Sequence, residues 1–291
     1  MSASSTGAAS SGESSGQDPF THELRFLLTR SETARFLEGA GGHAELTTYD
    51  PEHPIAYTRT TYFDTADAAY LTSSVDEPAR RLRVRQYAFA ATAEEPPVFS
   101  GIGYVELKQH LGASRSKVRL AATAAEIGAL LSAPGSASNG AAEGGPLAVI
   151  ARELVIPTMA PRLSTWYRRV CLTGDGPSDR PSVRLTLDEG LQFCHPQPVG
   201  RAGQPAVPAP REVVAAFPAR ILEVKFAGIL PGWLEPLLSG LRPAPLHFSK
   251  FRMGMQALEH EHELEHGVTL PRAPLPPVAP VLGTASTIVA A

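Results

Sequence analysis

Lysine is almost missing from this 291-residue chain, which carries four lysines against 22 arginines. Cysteine is scarcer still: Cys171 and Cys194 are the only two, and neither belongs to a CxxC pair. Neither a zinc ribbon nor a disulfide framework follows from two such residues. No stretch reaches the run of about 20 apolar residues that spans a bilayer, and the C-terminal "PVLGTASTIVAA" is too short and too rich in small residues for it. The chain also lacks a charge excess. Its formal net charge of -3 excludes a globally basic nucleic-acid binder, while leaving room for a local basic surface. The opening "MSASSTGAASSGESSGQD" has no apolar stretch of the signal-peptide kind and reads as a disordered leader over residues 1–18. These absences make a soluble cytoplasmic protein the expectation.

What is present is enough apolar sequence, 43% of residues, to bury a sizeable core. Low-complexity stretches divide it. "SAPGSASNGAAEGGP" (132–146) and "PQPVGRAGQPAVPAPR" (196–211) read as flexible loops, and the Pro/Ala-rich residues 267–291 as a disordered tail. One domain over residues 19–266 is expected between the tails. Strands are read in "THELRFLLT", "YTRTTYFDT", "RRLRVRQYAF", "GYVELKQH", "RSKVRLA", "STWYRRVCLT", "SVRLTLDEG" and "ARILEVKFA". Helices are fewer. "TRSETARFLEGA" carries Thr29 and Glu32 at capping-box spacing and is expected to close at Gly39, and "TAAEIGALL" repeats the device with Thr123 and Glu126. "PLAVIARELV", "PGWLEPLLSGL", opened by Pro231, and "SKFRMGMQALEHEHEL" complete the set. The class is α+β, with one antiparallel sheet or barrel of eight strands and helices packed outside.

The strands share a peculiarity. Charged residues two apart recur: Glu23 and Arg25, Arg83 and Arg85, Glu106 and Lys108, Lys117 and Arg119, Glu223 and Lys225, with Tyr167 and Arg169, and Arg184, Thr186 and Asp188, in the same rhythm. Residues two apart on a strand share a face, and the alternate positions, such as Leu82 and Val84 or Val105 and Leu107, are apolar. Two arrangements satisfy this pattern. In the ordinary one the charged face meets solvent and the apolar face packs on helices. In the other the sheet is an inside-out barrel whose charged face lines a water-filled lumen able to hold one ligand. Three features favour the second. The charged faces are mostly basic, paired arginines offer forked donors suited to phosphate oxygens, and three of the four lysines (Lys108, Lys117, Lys225) fall on charged strand faces. Glu106 or Glu223 among such bases would suit a hard divalent cation shared with phosphates. Nucleic acid fits less well, because aromatic residues are not interleaved with the basic ones as stacking platforms.

In order, "HELRFLL", "TTYFDT", "RLRVRQY", "YVELKQH", "SKVRL", "STWYRRV", "VRLTLD", "ILEVKF" and "HFSKF" resemble the VTC domain, the catalytic domain of the vacuolar transporter chaperone complex and a relative of the triphosphate tunnel metalloenzymes (CYTH-like superfamily). The resemblance runs from about Glu23 to Met255. It implies an eight-stranded antiparallel tunnel that binds triphosphate and Mn²⁺ or Mg²⁺, and a polyphosphate polymerase that moves the γ-phosphate of ATP onto a polyphosphate chain. Tripolyphosphatase or nucleoside triphosphatase activity in the same tunnel, and a non-catalytic polyphosphate or inositol-phosphate binding module, are the alternatives. Carried over, Arg83, Arg85, Lys108, Lys117, Arg169, Arg184 and Lys250 would grip phosphates in catalysis. Arg25, Tyr167, Lys225 and Ser249 would bind substrate, and Glu223, Glu106 and Glu23 would hold metal. The superfamily's opening ExExK strand is altered here: its positions are Thr21, Glu23 and Arg25, so one carboxylate is lost and the lysine is an arginine. Any membrane role would need a separate membrane partner.

Other motifs compete. "HELEH" (262–266) has the i,i+4 histidines of a zinc protease helix, but no His, Glu or Asp follows it to supply a third ligand, so a polar helix face is favoured. Asp64 in "YFDT" is either catalytic or a turn-starting residue. Trp233 and Phe248 read as packing anchors.

Overall fold

The computed structural model describes residues 20–72, 79–111, 114–174, 183–245 and 248–265. In chain order its elements are β1 (His22–Leu28), α1 (Arg30–Ala40), β2 (Ala44–Leu46), β3 (Ile55–Asp64), α2 (Ala69–Thr72), β4 (Ala79–Ala90), β5 (Val98–Leu111), β6 (Ser114–Thr123), α3 (Ala124–Ser132), α4 (Pro134–Ala137) and α5 (Pro146–Leu154). They continue with β7 (Ala160–Gly174), β8 (Val183–Cys194), β9 (Val213–Ala216), β10 (Arg220–Phe226), α6 (Leu234–Leu238), β11 (Arg242–Pro243) and α7 (Lys250–Glu265). The expected leader, the tail and the second histidine of "HELEH" lie outside the described residues.

All strands join one antiparallel sheet of order β11-β1-β10-β8-β7-β3-β4-β5-β6, with β2 added to β7 and β9 to β8. The eight strands read from the sequence are the eight long ones, and they form an unbroken run from β1 to β6. The total is eleven rather than eight because β2, β9 and β11 are only two to four residues long, too short to show a period of two. Among the described pairings the end strands do not meet, so the sheet is not a closed barrel.

It is nevertheless strongly curled. β10 and β5 are five strand spacings apart along the sheet, about 24 Å if it were flat, far beyond the roughly 8–10 Å over which charges act through salt water. Yet Lys225 on β10 adds to the charges, led by Arg83, that depress the Lys108 pKa on β5. Arg25 on β1 likewise acts on Arg81 on β4, whose pKa is lowered by burial first and by neighbouring guanidiniums after it. The two wings therefore bend round to face one another across a tunnel-like groove.

Both wings carry apolar outer faces covered by helices. On one, Leu82, Val84, Val105 and Leu107 pack with Ile127 and Leu130 of α3 and Ile150 and Ala151 of α5. On the other, Phe26, Leu28, Leu185, Leu187, Leu222 and Val224 pack with Phe36 and Ala40 of α1 and Leu234 and Leu238 of α6. Each of these Leu, Ile, Val and Phe side chains contributes about 1.5–3 kcal/mol when fully buried. With the outer faces committed to helices, the charged faces must turn inward.

Local signals mostly set the helix ends. Both capping boxes form, Thr29 with Glu32 and Thr123 with Glu126. α1 runs one residue past the expected stop at Gly39 and ends where the Gly41 N–H reaches the Leu37 carbonyl at 3.0 Å. Gly39 answers to packing instead, since a Cβ there would collide with Leu237 of α6. α6 starts later than Pro231, which lies in the preceding turn with its carbonyl accepting from the Leu234 N–H at 2.9 Å.

The two low-complexity stretches are more ordered than their composition implies. The first contains α4. The second lies as a strap over the outer face of β3, β4 and β7. Arg59 donates to the Pro198 carbonyl at 2.6 Å, the Gln86 amide bonds both the N–H (3.0 Å) and the carbonyl (2.6 Å) of Gly200, and Ala206 donates to the Pro97 carbonyl at 2.9 Å. Gly200 is needed because any Cβ would collide with the Phe99 ring.

Candidate active site on the inner face

Register defines which side chains share the inner face. Lys117 sits opposite Lys108, which sits opposite Arg81; Arg119 opposite Glu106, opposite Arg83; and Tyr104 opposite Arg85. The line continues through Tyr62, Thr60 and Thr58 on β3 to Leu163, Thr165 and Tyr167 on β7. It then passes Arg169 to Asp188, Thr186 to Glu223, Arg184 to Lys225, and finally Glu223 to Arg25 and Lys225 to Glu23. The strand residues proposed from sequence as phosphate, substrate or metal contacts thus share one concave surface.

Three acidic centres organise this surface. Glu106, 1% exposed, takes Arg83 (2.7 Å) on one oxygen and Lys117 (3.0 Å) and Arg119 (3.5 Å) on the other. Burial alone would raise its pKa, but the charges of Arg83, Arg85 and Lys117 overturn that and hold it far below the carboxylate range. Asp188 is bound by Arg169 through two bonds of 2.7 and 2.8 Å and by Lys250 at 2.7 Å. Burial opposes its ionisation too, and Arg169 and Lys250 again win. The third centre pairs Glu23 with Glu223, bridged by Arg25, which bonds Glu23 and reaches Glu223 at 3.3 Å; Lys225 lies 3.6 Å from Glu23. The Glu223 pKa is lowered to about 2, against burial, chiefly by Arg169 and Arg25.

Bases outnumber these acids. Lys108 has no carboxylate in ion-pair contact among the described residues, and it is surrounded by Arg83, Arg85 and Lys225. Arg83 first, then burial, pushes its pKa down to about 7. Among the described residues Arg85 donates to the Thr60 hydroxyl at 3.3 Å and has no carboxylate in ion-pair contact. Positive charge thus outweighs negative around Lys108, even with Glu106 opposing the shift, and such a surface suits an anion.

Lys250 reaches this surface from the first residue of α7, not from a strand. Phe251 beside it stacks on Tyr62 at 5.0 Å, and Gly254 lets the helix press on Leu163, which any Cβ there would strike. α7 thereby closes against the β7–β8 part of the groove and fixes the Lys250 ammonium 5.1 Å from the Tyr167 ring, with Arg169 5.3 Å from the same ring. The Ser249 hydroxyl accepts from the Arg252 N–H at 3.5 Å, the position of a helix cap.

The donors discriminate between metal positions. Both Glu106 oxygens are occupied by cations, which suits a counter-ion and not the metal ligand expected from sequence. Glu223 and Glu23 fit a hard divalent ion better. They are adjacent, partly exposed, held chiefly by one displaceable arginine, and lie beside Thr186, whose buried hydroxyl has no hydrogen-bond partner among the described residues. Two carboxylates suffice only if phosphate oxygens complete the shell. No cluster of three His, Cys, Asp or Glu residues occurs among the described residues.

The competing motifs resolve structurally. Asp64 is fully buried and accepts the N–H groups of Thr65, Tyr70 and Leu71 at 2.7–2.9 Å, organising the turn into α2. His262 is exposed on α7. Trp233 packs on the α1–α6 core and stacks on His43, and Phe248 packs on Phe217.

Sequence reasoning missed Arg81, although it stands two before Arg83 on the same face. It named Arg119 and Asp188 in the alternation without giving them a role, although Asp188 anchors both Arg169 and Lys250. Tyr62 and Tyr87, which also face the basic wall, carry no charge and so escaped a search for charged pairs.

The VTC domain family profile matches residues 20–259, most of the chain, and the protein belongs to that family. No curated protein matches it. Among solved structures, a Bacillus halodurans protein provisionally described as an adenylate cyclase aligns over 87% of this chain and 92% of its own, at 13% identity and a TM-score of 0.37. A superposition that loose carries no chemistry across.

Proposed function

We propose that this chain is a polyphosphate polymerase that transfers the γ-phosphoryl group of ATP to the terminal phosphate of a polyphosphate chain within the basic groove. The observation that carries this reading is the predominantly basic wall around Lys108, in a VTC domain, facing two carboxylates that suit Mn²⁺ or Mg²⁺. Arg81, Arg83, Arg85 and Lys108 would hold the phosphates from one wing, and Arg169, Lys250, Lys225 and Arg184 from the other, keeping donor and acceptor in line. Glu106 and Asp188 serve as fixed counter-ions that keep these long side chains extended before substrate arrives. Glu23 and Glu223 would hold the metal, which supplies charge neutralisation on the phosphate oxygens when bound. A bond forms between the acceptor's terminal oxygen and the γ-phosphorus while the bond to the β-phosphate oxygen breaks and ADP leaves with its electron pair. The acceptor is already an anion, so no strong base is required.

Arg25 favours a second reading, in which the groove binds polyphosphate without turnover, because it already bridges the two candidate metal ligands. Incubation with ATP and Mn²⁺ or Mg²⁺, with and without a short polyphosphate primer, separates the readings. ADP with lengthening chains supports the polymerase, ADP with free phosphate alone supports a triphosphatase, and salt-sensitive polyphosphate binding without ADP supports the binding module. No helix among the described residues is long and apolar enough to cross a membrane. We place the protein in the cytoplasm, with any delivery of polyphosphate across a membrane left to a separate partner.

A further inference from the structure

β3 presents Thr58, Thr60 and Tyr62 to the basic groove, so Arg59, between them, points to the opposite side of the sheet. It is only 9% exposed there. One of its terminal nitrogens bonds the Gln86 side chain (2.7 Å) and the Pro198 carbonyl (2.6 Å), and its guanidinium stacks over the Phe99 ring at 4.2 Å. Its Nε is buried without any hydrogen-bond partner, and no carboxylate is in ion-pair contact among the described residues. Glu212 acts on it from a distance and is engaged by the Ala209 N–H at 2.6 Å. Burial accordingly pulls the Arg59 pKa down to about 10.

An unpaired guanidinium in this position is costly, and it borders a cavity of about 100 Å³ between the strap and the outer faces of β3, β7 and β8. Ser164 and Gln197 are polar residues of its lining, while Trp166, Pro205, Val207 and Pro208 supply apolar ones. We propose that this cavity is a binding site for a small monocarboxylate, separate from the phosphate groove. One guanidinium balances a single negative charge, and its Nε–H is a buried donor with no hydrogen-bond partner among the described residues. A phosphate dianion would lack a second cation, and the apolar wall suits a short aliphatic tail. The occupant would also tie the strap to the sheet, because strap residues form the cavity roof.

Propionate is the probe. Thermal unfolding of the full chain is followed against sodium propionate, with a sodium chloride control at matched ionic strength. Propionate is expected to raise Tm saturably, by about 3–6 °C at tenfold above its dissociation constant, and sodium chloride is not. Arg59→Gln should abolish the rise. Since that change also removes strap contacts, Ala206→Leu, which fills the cavity and leaves Arg59 in place, should abolish it independently. An equal rise with chloride, a rise that persists in the folded Ala206→Leu protein, or a crystal grown in propionate showing only water beside Arg59 Nε would overturn the proposal. Neither ATP nor polyphosphate enters the experiment, so its outcome is independent of the polymerase reading.

Discussion

The two wings of the groove hold their acids differently. On the β4–β5–β6 wing Glu106 is 1% exposed and gripped by Arg83, Lys117 and Arg119. On the β1–β10 wing the side chains of Glu23, Arg25 and Glu223 are 24–39% exposed. The first is a permanent counter-ion, since removing it would strand the buried Arg83 without its carboxylate partner. In the proposed function the second is an exchangeable cluster, in which an incoming phosphate would take Arg25 and leave two carboxylates for a cation. A groove that handles a polyanion needs both: one wing fixed in advance, the other able to trade partners.

The sharpest way to break this contrast is Glu106→Gln. It should destabilise the protein by about 3–5 kcal/mol in urea unfolding, because Arg83 and Lys117 lose a buried partner. A near-neutral result would make Glu106 as exchangeable as Glu223. Leu107→Ala, on the outer face of the same strand and 0% exposed, should cost a comparable 2–5 kcal/mol. Polyphosphate affinity of its folded fraction should stay unchanged, and a selective loss of affinity would mean that the two faces are not separable. Glu223→Gln should divide its effect differently. Stability should fall less than for Glu106→Gln, while metal-dependent turnover falls about 10²–10³-fold, the size of effect expected when one electrostatic stabiliser is lost. Wild-type turnover in that variant would remove Glu223 from the metal site.

The smallest effect concerns pH. The free protein sheds the Lys108 proton as pH rises through about 7, and a bound phosphate chain restores it. Triphosphate affinity should therefore fall above pH 7, by at most about tenfold per unit from this group. Lys108→Arg should flatten that part of the profile in calorimetric titrations. The unliganded protein should show the converse. Between about pH 7 and the ordinary lysine range the unfolded chain binds the extra proton, so stability rises with pH, and Lys108→Met should remove this contribution.

Much of the fold was legible because it is written locally. Alternation of charge and apolarity located all eight long strands, and Thr29–Glu32 and Thr123–Glu126 located two helix starts, since period and capping depend on residues a few positions apart. The candidate phosphate contacts were legible for the same reason once Arg83, Arg85 and Lys108 were seen to share faces. β2, β9 and β11 were not, being shorter than any period. Nor was the strap, whose Gly- and Pro-rich composition says nothing about Gln86 and Arg59 waiting to satisfy its backbone.

The sequence by itself determined two-faced strands, one face basic and one apolar, together with the family they belong to. Only the tertiary structure decided that the basic face turns inward, because a strand's alternation defines two faces without saying which way the sheet bends. It also decided which acids are fixed and which exchangeable. Arg25 meets Glu223 from 198 positions away, and Glu106 gathers its bases from β4 and β6. Such partnerships are set by strand order and curvature, which no stretch of residues states alone.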